Sequence, residues 1–481
     1  MPALASAARP LARPQGSGRP FVVVVGGGNA GICAAIAARR SGAEVLVIER
    51  GTEVFRGGNS RHTRDIRYAH DGPDRGATGA YPREEFLADL AGVSDERSNV
   101  DLAELLADGS MALPRWMSDQ GVKWQEGLRG ALHLSRTNGF FLGGGRALLN
   151  TYYDTAERLG VRVAYEAQVT APVMDGRRCV ALAVSQGGLE QSLAPDAVVL
   201  ACGGIEANRE WLRGQWGDGA DNFIVRGAAT NDGTVLLSLL AAGAQAVGDQ
   251  RRFHAVAVDA RSPRYDGGIV TRVDATPFGI VVNKDGRRFH DEGETFWPKR
   301  YAIWGRLIAE QTDQSAFVVF DAKVRHLFIP PVYPPLVAES VDGLGRDLGL
   351  PAGALGATVS TFNRSLVRDR AFDPTVLDGV ATIGIDPPKS NWAQPIDTPP
   401  FYAYPIRPGI TFSYWGLKVD ATTRVLDQAG RPFENVFAAG ELMAGNILTV
   451  GYLAGIGLTI GTVFGRISGE EATSVAPRRP H

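Results

Sequence analysis

Apolar positions follow one pattern from Phe21 to about residue 250, another to about residue 405, and then return to the first. Phe21-Val22-Val23-Val24-Val25 is a continuous β-branched run, which predicts a strand buried on both faces. Gly26-Gly27-Gly28-Asn29-Ala30-Gly31 follows at once, and Ile32 to Ala38 is a run of small and apolar residues that predicts a helix. Ala43 to Ile48 predicts a second strand, closed by Glu49. Further on, Asp89 to Asp119 has helical spacing of Leu and Ala, and a helical run reaches Leu159 after Gly143-Gly144-Gly145-Arg146. Strands are expected at Val161 to Val163, around Val169, at Val180 to Val184 and at Ala197 to Ala201. Cys202-Gly203-Gly204 ends the last of these. Thr230-Asn231-Asp232-Gly233 opens another helix, with Asn231 or Asp232 as its cap.

The middle segment carries more Pro, Trp and charge. Gly279 to Phe289 predicts a hairpin turning at Lys284-Asp285-Gly286. In the last part, Gly416 to Asp420 and Val425 to Asp427 predict a second hairpin. Asn435 to Ala439 predicts a strand reaching Gly440 and Glu441, and Gly451 to Gly461 enters a buried helix. This organisation predicts a disordered tail at 1–19, a first domain at 20–250 resumed at 406–472, an inserted domain at 251–405, and a tail at 473–481. The fold class expected is α/β, a Rossmann-type domain interrupted by an α+β cap.

The opening unit carries chemistry. It is strand, G-x-G-x-x-G, helix, strand and acid. Gly26 allows a tight turn, Gly28 lets backbone approach a pyrophosphate, and Gly31 lets helix and strand pack closely. The helix N-terminus offers free N–H groups and partial positive charge to phosphates. Glu49 can accept hydrogen bonds from a ribose diol. A Gly-rich turn in an ordinary α/β protein does not explain that acid. Arg50 leaves the second strand. The loop from Arg56 to His70 is dense in glycine, cations and histidine, and reads either as a solvated basic loop or as one that wraps a cofactor and faces an anion.

Length and composition narrow the class. A chain of 481 residues exceeds one simple core. Its formal net charge of -2 gives no reason to expect nucleic acid or a charged membrane surface as partner. Cys33, Cys179 and Cys202 are scattered, which argues against a disulfide framework or a metal cluster and favours a reducing, cytoplasmic setting. Residues 1–19 have no apolar run of signal-peptide type, and Tyr452 to Phe464 is too short to span a bilayer.

Five ordered blocks resemble the flavoproteins of the fumarate reductase, succinate dehydrogenase and 3-ketosteroid dehydrogenase superfamily. They are VVVVGGGNAG with Glu49, GGNS at Gly57 to Ser60, LACGG at Leu200 to Gly204, GIVVNKDGRRF at Gly279 to Phe289, and AAGE with GYLAGIGLT. The resemblance implies non-covalent FAD, since His62-Thr63 is out of register with the histidine that carries FAD covalently in some relatives. It implies cofactor contacts at Gly26, Gly28, Asn29, Ala30, Gly31, Glu49 and Arg50, then at Gly57, Gly58, Asn59 and Ser60. Further contacts are expected at Val169, Gly203, Gly204, Asp232, Gly440, Glu441, Gly455 and Ile456. It implies two-hydrogen chemistry on a carbon–carbon bond beside a carbonyl or carboxylate. The tricarballylate dehydrogenase branch looks closest, through GGNSRHTR, the Asp291 to Arg306 run and the Gly451 to Gly469 run. That branch implies a membrane-bound iron–sulfur or quinone-linked electron acceptor.

The chain departs from the fumarate reductase pattern. The catalytic arginine after the hairpin falls on Phe296, with Arg300 nearest. The dicarboxylate-binding histidine falls near Phe412, and Tyr452 replaces an arginine before the last helix. The candidate catalytic residues are therefore Arg300, His254 and Tyr452. Arg64 and Arg67 are candidates for a substrate anion. Tyr414 and Phe412 favour a ketone-bearing or less charged substrate. The readings carried forward are a polycarboxylate dehydrogenase of tricarballylate type, a desaturase of a ketone, and a flavin-bearing redox subunit needing a partner.

Overall fold

The computed structural model describes residues 11–13, 18–74, 76–126, 134–267, 270–367 and 369–476. A six-stranded sheet runs in the order Arg424–Leu426, Pro432–Ala438, Ala197–Leu200, Phe21–Val25, Glu44–Ile48, Arg162–Ala164. All pairs are parallel except the first. Phe21–Val25 is buried throughout, as its unbroken apolar run requires of a central parallel strand. Register lines up Val25 with Ile48 and with Leu200, and Leu200 with Ala438. The residues that leave these strands, Gly26, Glu49, Ala201 and Ala439, therefore meet at one sheet edge, where parallel α/β sheets bind ligands.

Two helices cross behind that edge. Asn29–Arg40 packs on the final helix, Ile456–Val475. Gly461, Gly465 and Gly469 recur every four residues on the facing side. A Cβ at Gly465 would strike the Ala30 carbonyl, and one at Gly469 the Ala34 carbonyl. Asn29 Nδ2 donates to Leu458 O at 3.1 Å and Thr462 Oγ1 at 3.0 Å, which sets the register of the crossing.

The cap is built on one long strand, Phe401–Ser413. Ala316–Asp321, Leu336–Ala338 and Phe253–Asp259 pair with it antiparallel, and Ile224–Val225 pairs parallel. The expected boundary between 405 and 406 falls inside this strand, so no linker exists there. The expected hairpin forms, with Asn283 N donating to Arg287 O at 3.0 Å and Gly286 N to Asn283 O at 2.9 Å. The expected tail at 1–19 needs correction at Leu11–Arg13. Leu11 is buried, and Arg13 pairs with Asp196 at 2.8 Å. Residues 1–10 and 14–17 of that tail lie outside the described residues. The final helix reaches Val475, past the expected start of the last tail, whose residues 477–481 also lie outside the described residues. No helix among the described residues is long and apolar enough to cross a membrane.

Candidate active site

Two adjoining cavities open at the edge of the parallel sheet, of about 190 and 120 Å3. Asn59, Thr411, Tyr452 and Leu458 line both.

The larger cavity gathers most of the residues expected to touch the cofactor. The sequence places Gly26, Gly28, Asn29, Ala30, Glu49 and Arg50 on it, and all six line it. So do Gly57, Gly58, Asn59 and Ser60 from the loop, and Val169, Gly203, Gly204, Asp232, Gly440 and Glu441 from later in the chain. Gly26 has φ +101°, which a side chain would oppose. Gly31 lies off the cavity, and a Cβ there would strike the Gly26 carbonyl, so its role is packing. The last helix contributes Gly457, Leu458 and Gly461 instead of the expected Gly455 and Ile456. Gly455 is the N-cap, at φ +83°, and lines the smaller cavity, while Ile456 is fully buried. The sequence reading missed Gly27, whose Cβ would strike Tyr153 Oη and Glu49 Oε2.

The donor set fits FAD. The helix opening at Asn29 has no acid in its first turn to oppose a diphosphate at its positive end, and its first N–H, that of Asn29, donates to Ser60 Oγ at 3.1 Å. The Glu49 carboxylate is fixed by Gly27 N at 3.0 Å and Gly57 N at 3.5 Å on Oε2 and by Gly51 N at 2.6 Å on Oε1, and Oε1 keeps a lone pair for a ribose hydroxyl. Arg50 and Asp232, expected as separate contacts, pair with each other at 2.7 Å on the cavity rim.

The smaller cavity is charged and aromatic. Arg64, Arg226 and Arg272 line it, together with Asp65 and Asp274. Asp274 takes two bonds from Arg272, at 2.7 and 2.8 Å, and a third from Trp297 Nε1 at 2.7 Å. Burial pulls Arg272 down, but the Asp274 carboxylate outweighs it and the net shift is upward. Arg226 Nη1 donates to Thr411 Oγ1 at 2.8 Å. Burial and then the charge of Arg272 pull Arg226 down to about 10 and lower Arg64 as well. His62 falls to about 4 through burial and the charges of Arg61 and Arg226. His254 falls well below its ordinary value through burial, Arg226 and Arg272. The downward shifts of Arg226, Arg64, His62 and His254 share one cause, burial beside other cations, whereas Arg272 is raised by its own carboxylate partner.

His254 Nε2 lies 3.0 Å from Tyr301 Oη, and its Nδ1 is buried with no partner among the described residues. Tyr452 Oη accepts from Gly457 N at 2.9 Å. Burial lifts Tyr301 to about 12 and raises Tyr452 well above its ordinary value.

Among the expected substrate residues, Arg64, His254 and Tyr452 line this cavity and four others do not. Arg300 is held by Glu294 through two bonds of 2.8 Å, and Glu294 also meets His290 Nε2 at 3.0 Å. Arg67 is 1% exposed, donating to Ala454 O at 3.0 Å and Tyr81 Oη at 2.8 Å, so it ties the fold together. Tyr414 is fully buried away from both cavities. Phe412 lines the cofactor cavity. Arg226 and Arg272 went unrecognised. Arg272 and Asp274 stand two apart in sequence, a cation at an isolated bridge and an acid in the turn that follows, and this pairing was the available signal.

A protein family described as "FAD binding domain" matches residues 22–458. A probable fumarate reductase of Shewanella frigidimarina is 26% identical over 95% of this chain and 75% of its own length. A 4-oxocyclohexanecarboxylate 2-dehydrogenase of Sinomonas cyclohexanicum is 25% identical over 95% of both chains. The solved 3-ketosteroid-Δ4-(5α)-dehydrogenase of Rhodococcus jostii superposes with a TM-score of 0.71 at 24% identity, covering 97% of this chain and 99% of that one. The chain thus belongs to the FAD binding domain family and is an FAD-dependent oxidoreductase of the kind that acts on carbon–carbon bonds.

Proposed function

We propose that the chain dehydrogenates, or reduces, a small anionic substrate at the carbon–carbon bond next to its carboxylate or carbonyl. The observation that carries this reading is the gathering of Arg64, Arg226 and Arg272 on a cavity that shares a wall with the cofactor cavity. Three arginines against two aspartates leave one net positive charge, since both histidines are held neutral. That balance suits one carboxylate. Three carboxylates would exceed it in a space of about 120 Å3, so the tricarballylate reading loses support.

FAD supplies the hydride exchange, and the residues of this chain do the rest. Arg226 and Arg64 bind the carboxylate, and their planar forks fix its orientation. Tyr452 keeps its hydroxyl proton at neutral pH and can donate it to a carbonyl oxygen. Tyr301 Oη and His254 Nε2 hold a proton between them at the edge of the cavity. Burial of Trp297, Tyr301 and His254 keeps water from that proton. FAD is held without a covalent bond, and the setting is cytoplasmic.

A ketone-bearing acid satisfies both the arginines and Tyr452, and the name of the Sinomonas relative contains both groups. The test is anaerobic bleaching of the bound flavin by a panel of unsaturated and saturated acids, keto acids, neutral ketones and tricarballylate. Monoanionic acids or keto acids should bleach best. Equal bleaching by neutral ketones would remove the anion from the assignment. Failure of every small molecule, with bleaching by a redox protein, would replace it with the partner-dependent subunit, whose electron acceptor would be an iron–sulfur or quinone-linked membrane protein.

A further inference from the structure

Glu206 and Glu441 are two buried acids that the substrate reading does not use. Glu206 is fully buried and Glu441 is 8% exposed. They approach each other across Gly204. A Cβ on that glycine would collide at once with Glu441 Oε1, Glu206 Oε2 and Ser413 Oγ. Glu206 Oε1 accepts from Asn59 Nδ2 and from Asn231 Nδ2, each at 2.8 Å. Glu441 Oε1 accepts from Ser413 N at 2.8 Å. Glu206 Oε2 is buried with no donor among the described residues.

An orphaned buried carboxylate oxygen is costly, and two ionised carboxylates in hydrogen-bond reach repel each other. One proton removes both costs. We propose that Glu206 and Glu441 form a one-proton acid–carboxylate pair, with Glu441 donating to Glu206 Oε2, and that this pair makes the hold on FAD depend on pH. Glu441, Gly204, Asn59 and Asn231 all line the cofactor cavity, so the charge of the pair sits in its wall.

The electrostatics agree with the geometry. Burial and then the Glu206 charge raise Glu441 well above its ordinary value, and burial raises Glu206. Among the described residues, Cys202 and Asp232 supply no counter-charge to the pair. Burial lifts the Cys202 thiol to about 12, which keeps it neutral, and Asp232 is an anion paired with Arg50. The amides of Asn59 and Asn231 and the backbone N–H groups of Ser413 and Gly204 also face the pair.

The sign follows from the raised value. The folded pair binds a proton that the unfolded chain releases above about pH 4.3, so the holoprotein loses stability, and with it its flavin on heating, as pH rises toward the folded value. The experiment heats the holoprotein at a series of values from about pH 5 to about pH 9 and follows flavin release by fluorescence. In Glu441→Gln the amide donates to Glu206 Oε2 and cannot titrate. Wild type should lose up to tenfold in retention per pH unit relative to that variant. Parallel curves for the two proteins would overturn the proposal. A second readout needs only wild type, so the test survives if the variant does not fold. Infrared spectra of holoprotein carrying isotope-labelled glutamate should show a labelled protonated-carboxyl stretch at neutral pH. Its absence would mean both acids are ionised, and the proposal would fail. Neither readout depends on which substrate the enzyme takes.

Discussion

The His254 imidazole lies flat against the Tyr452 ring, with centroids 4.0 Å apart and planes 27° apart. His254 comes from a cap strand and Tyr452 from the loop before the final helix, so this stack joins the two halves of the cavity. A neutral ring stacks there more readily than a cation hemmed in by Arg226 and Arg272.

Acid should therefore loosen the protein. His254 and His62 have folded values below their unfolded one of about 6.5, so each favours folding above that value and opposes it as pH falls. The loss is at most about 1.4 kcal/mol per pH unit for each histidine, and for His62 it ends near pH 4. His254→Gln and His62→Gln should each flatten the thermal midpoint between about pH 6.5 and pH 4. Wild-type and variant curves of equal slope would show that the histidines are charged in the folded state.

Arg226→Lys should slow substrate-driven flavin reduction by about tenfold or more, because the charge remains but the fork is lost. Arg300→Lys should change it by less than about threefold, since its pair with Glu294 stands away from the cavity. Stopped-flow reduction of both variants checks this. A dead Arg300 variant beside a normal Arg226 variant would return the anion to Arg300.

Glu49→Ala should weaken FAD binding by up to about 1.5–3 kcal/mol for each ribose hydrogen bond. It should also free the Gly27 and Gly51 N–H groups that shape the turn. Titration of flavin-depleted protein would measure the affinity. Wild-type affinity would remove Glu49 from the ribose site.

Lys389 is fully buried and donates to Pro277 O at 2.8 Å and Gly279 O at 2.5 Å. Pro277 and Phe278 form part of the wall of the substrate cavity. Lys389→Met should leave two carbonyls without donors, at about 1–3 kcal/mol each, and raise KM more than it lowers kcat. Burial lowers this lysine to about 8, so wild type should gain stability relative to the variant from about pH 8 to about pH 10.4. An unchanged KM would confine Lys389 to the fold.

The cofactor cavity was legible because its parts are local. One strand, one turn, one helix and one acid lie within Phe21 to Glu49, and glycine announces the turn. The substrate cavity was less so. Arg226 follows a two-residue strand that is placed by pairing with Gly409 and Ile410, far along the chain, and by a bridge from Val225 to Tyr265. Arg300 was the arginine nearest the expected position, which falls on Phe296, and Glu294, six residues before Arg300, captures its guanidinium. Arg67 and Tyr414 had the right chemistry but fold inward. At the last helix, the left-handed turn at Gly455 shifts the cavity contacts to Gly457 and Gly461.

The unbroken Phe401–Ser413 strand limits how the enzyme can move. Its first half is clamped to Ala316–Asp321, and Thr411 near its end touches both cavities. A hinge cannot lie at residue 405 without tearing that ladder. Any pivot between the elements paired to this strand and the parallel sheet must therefore lie at other crossings of the chain, which keeps Thr411 in fixed relation to Ala316–Asp321.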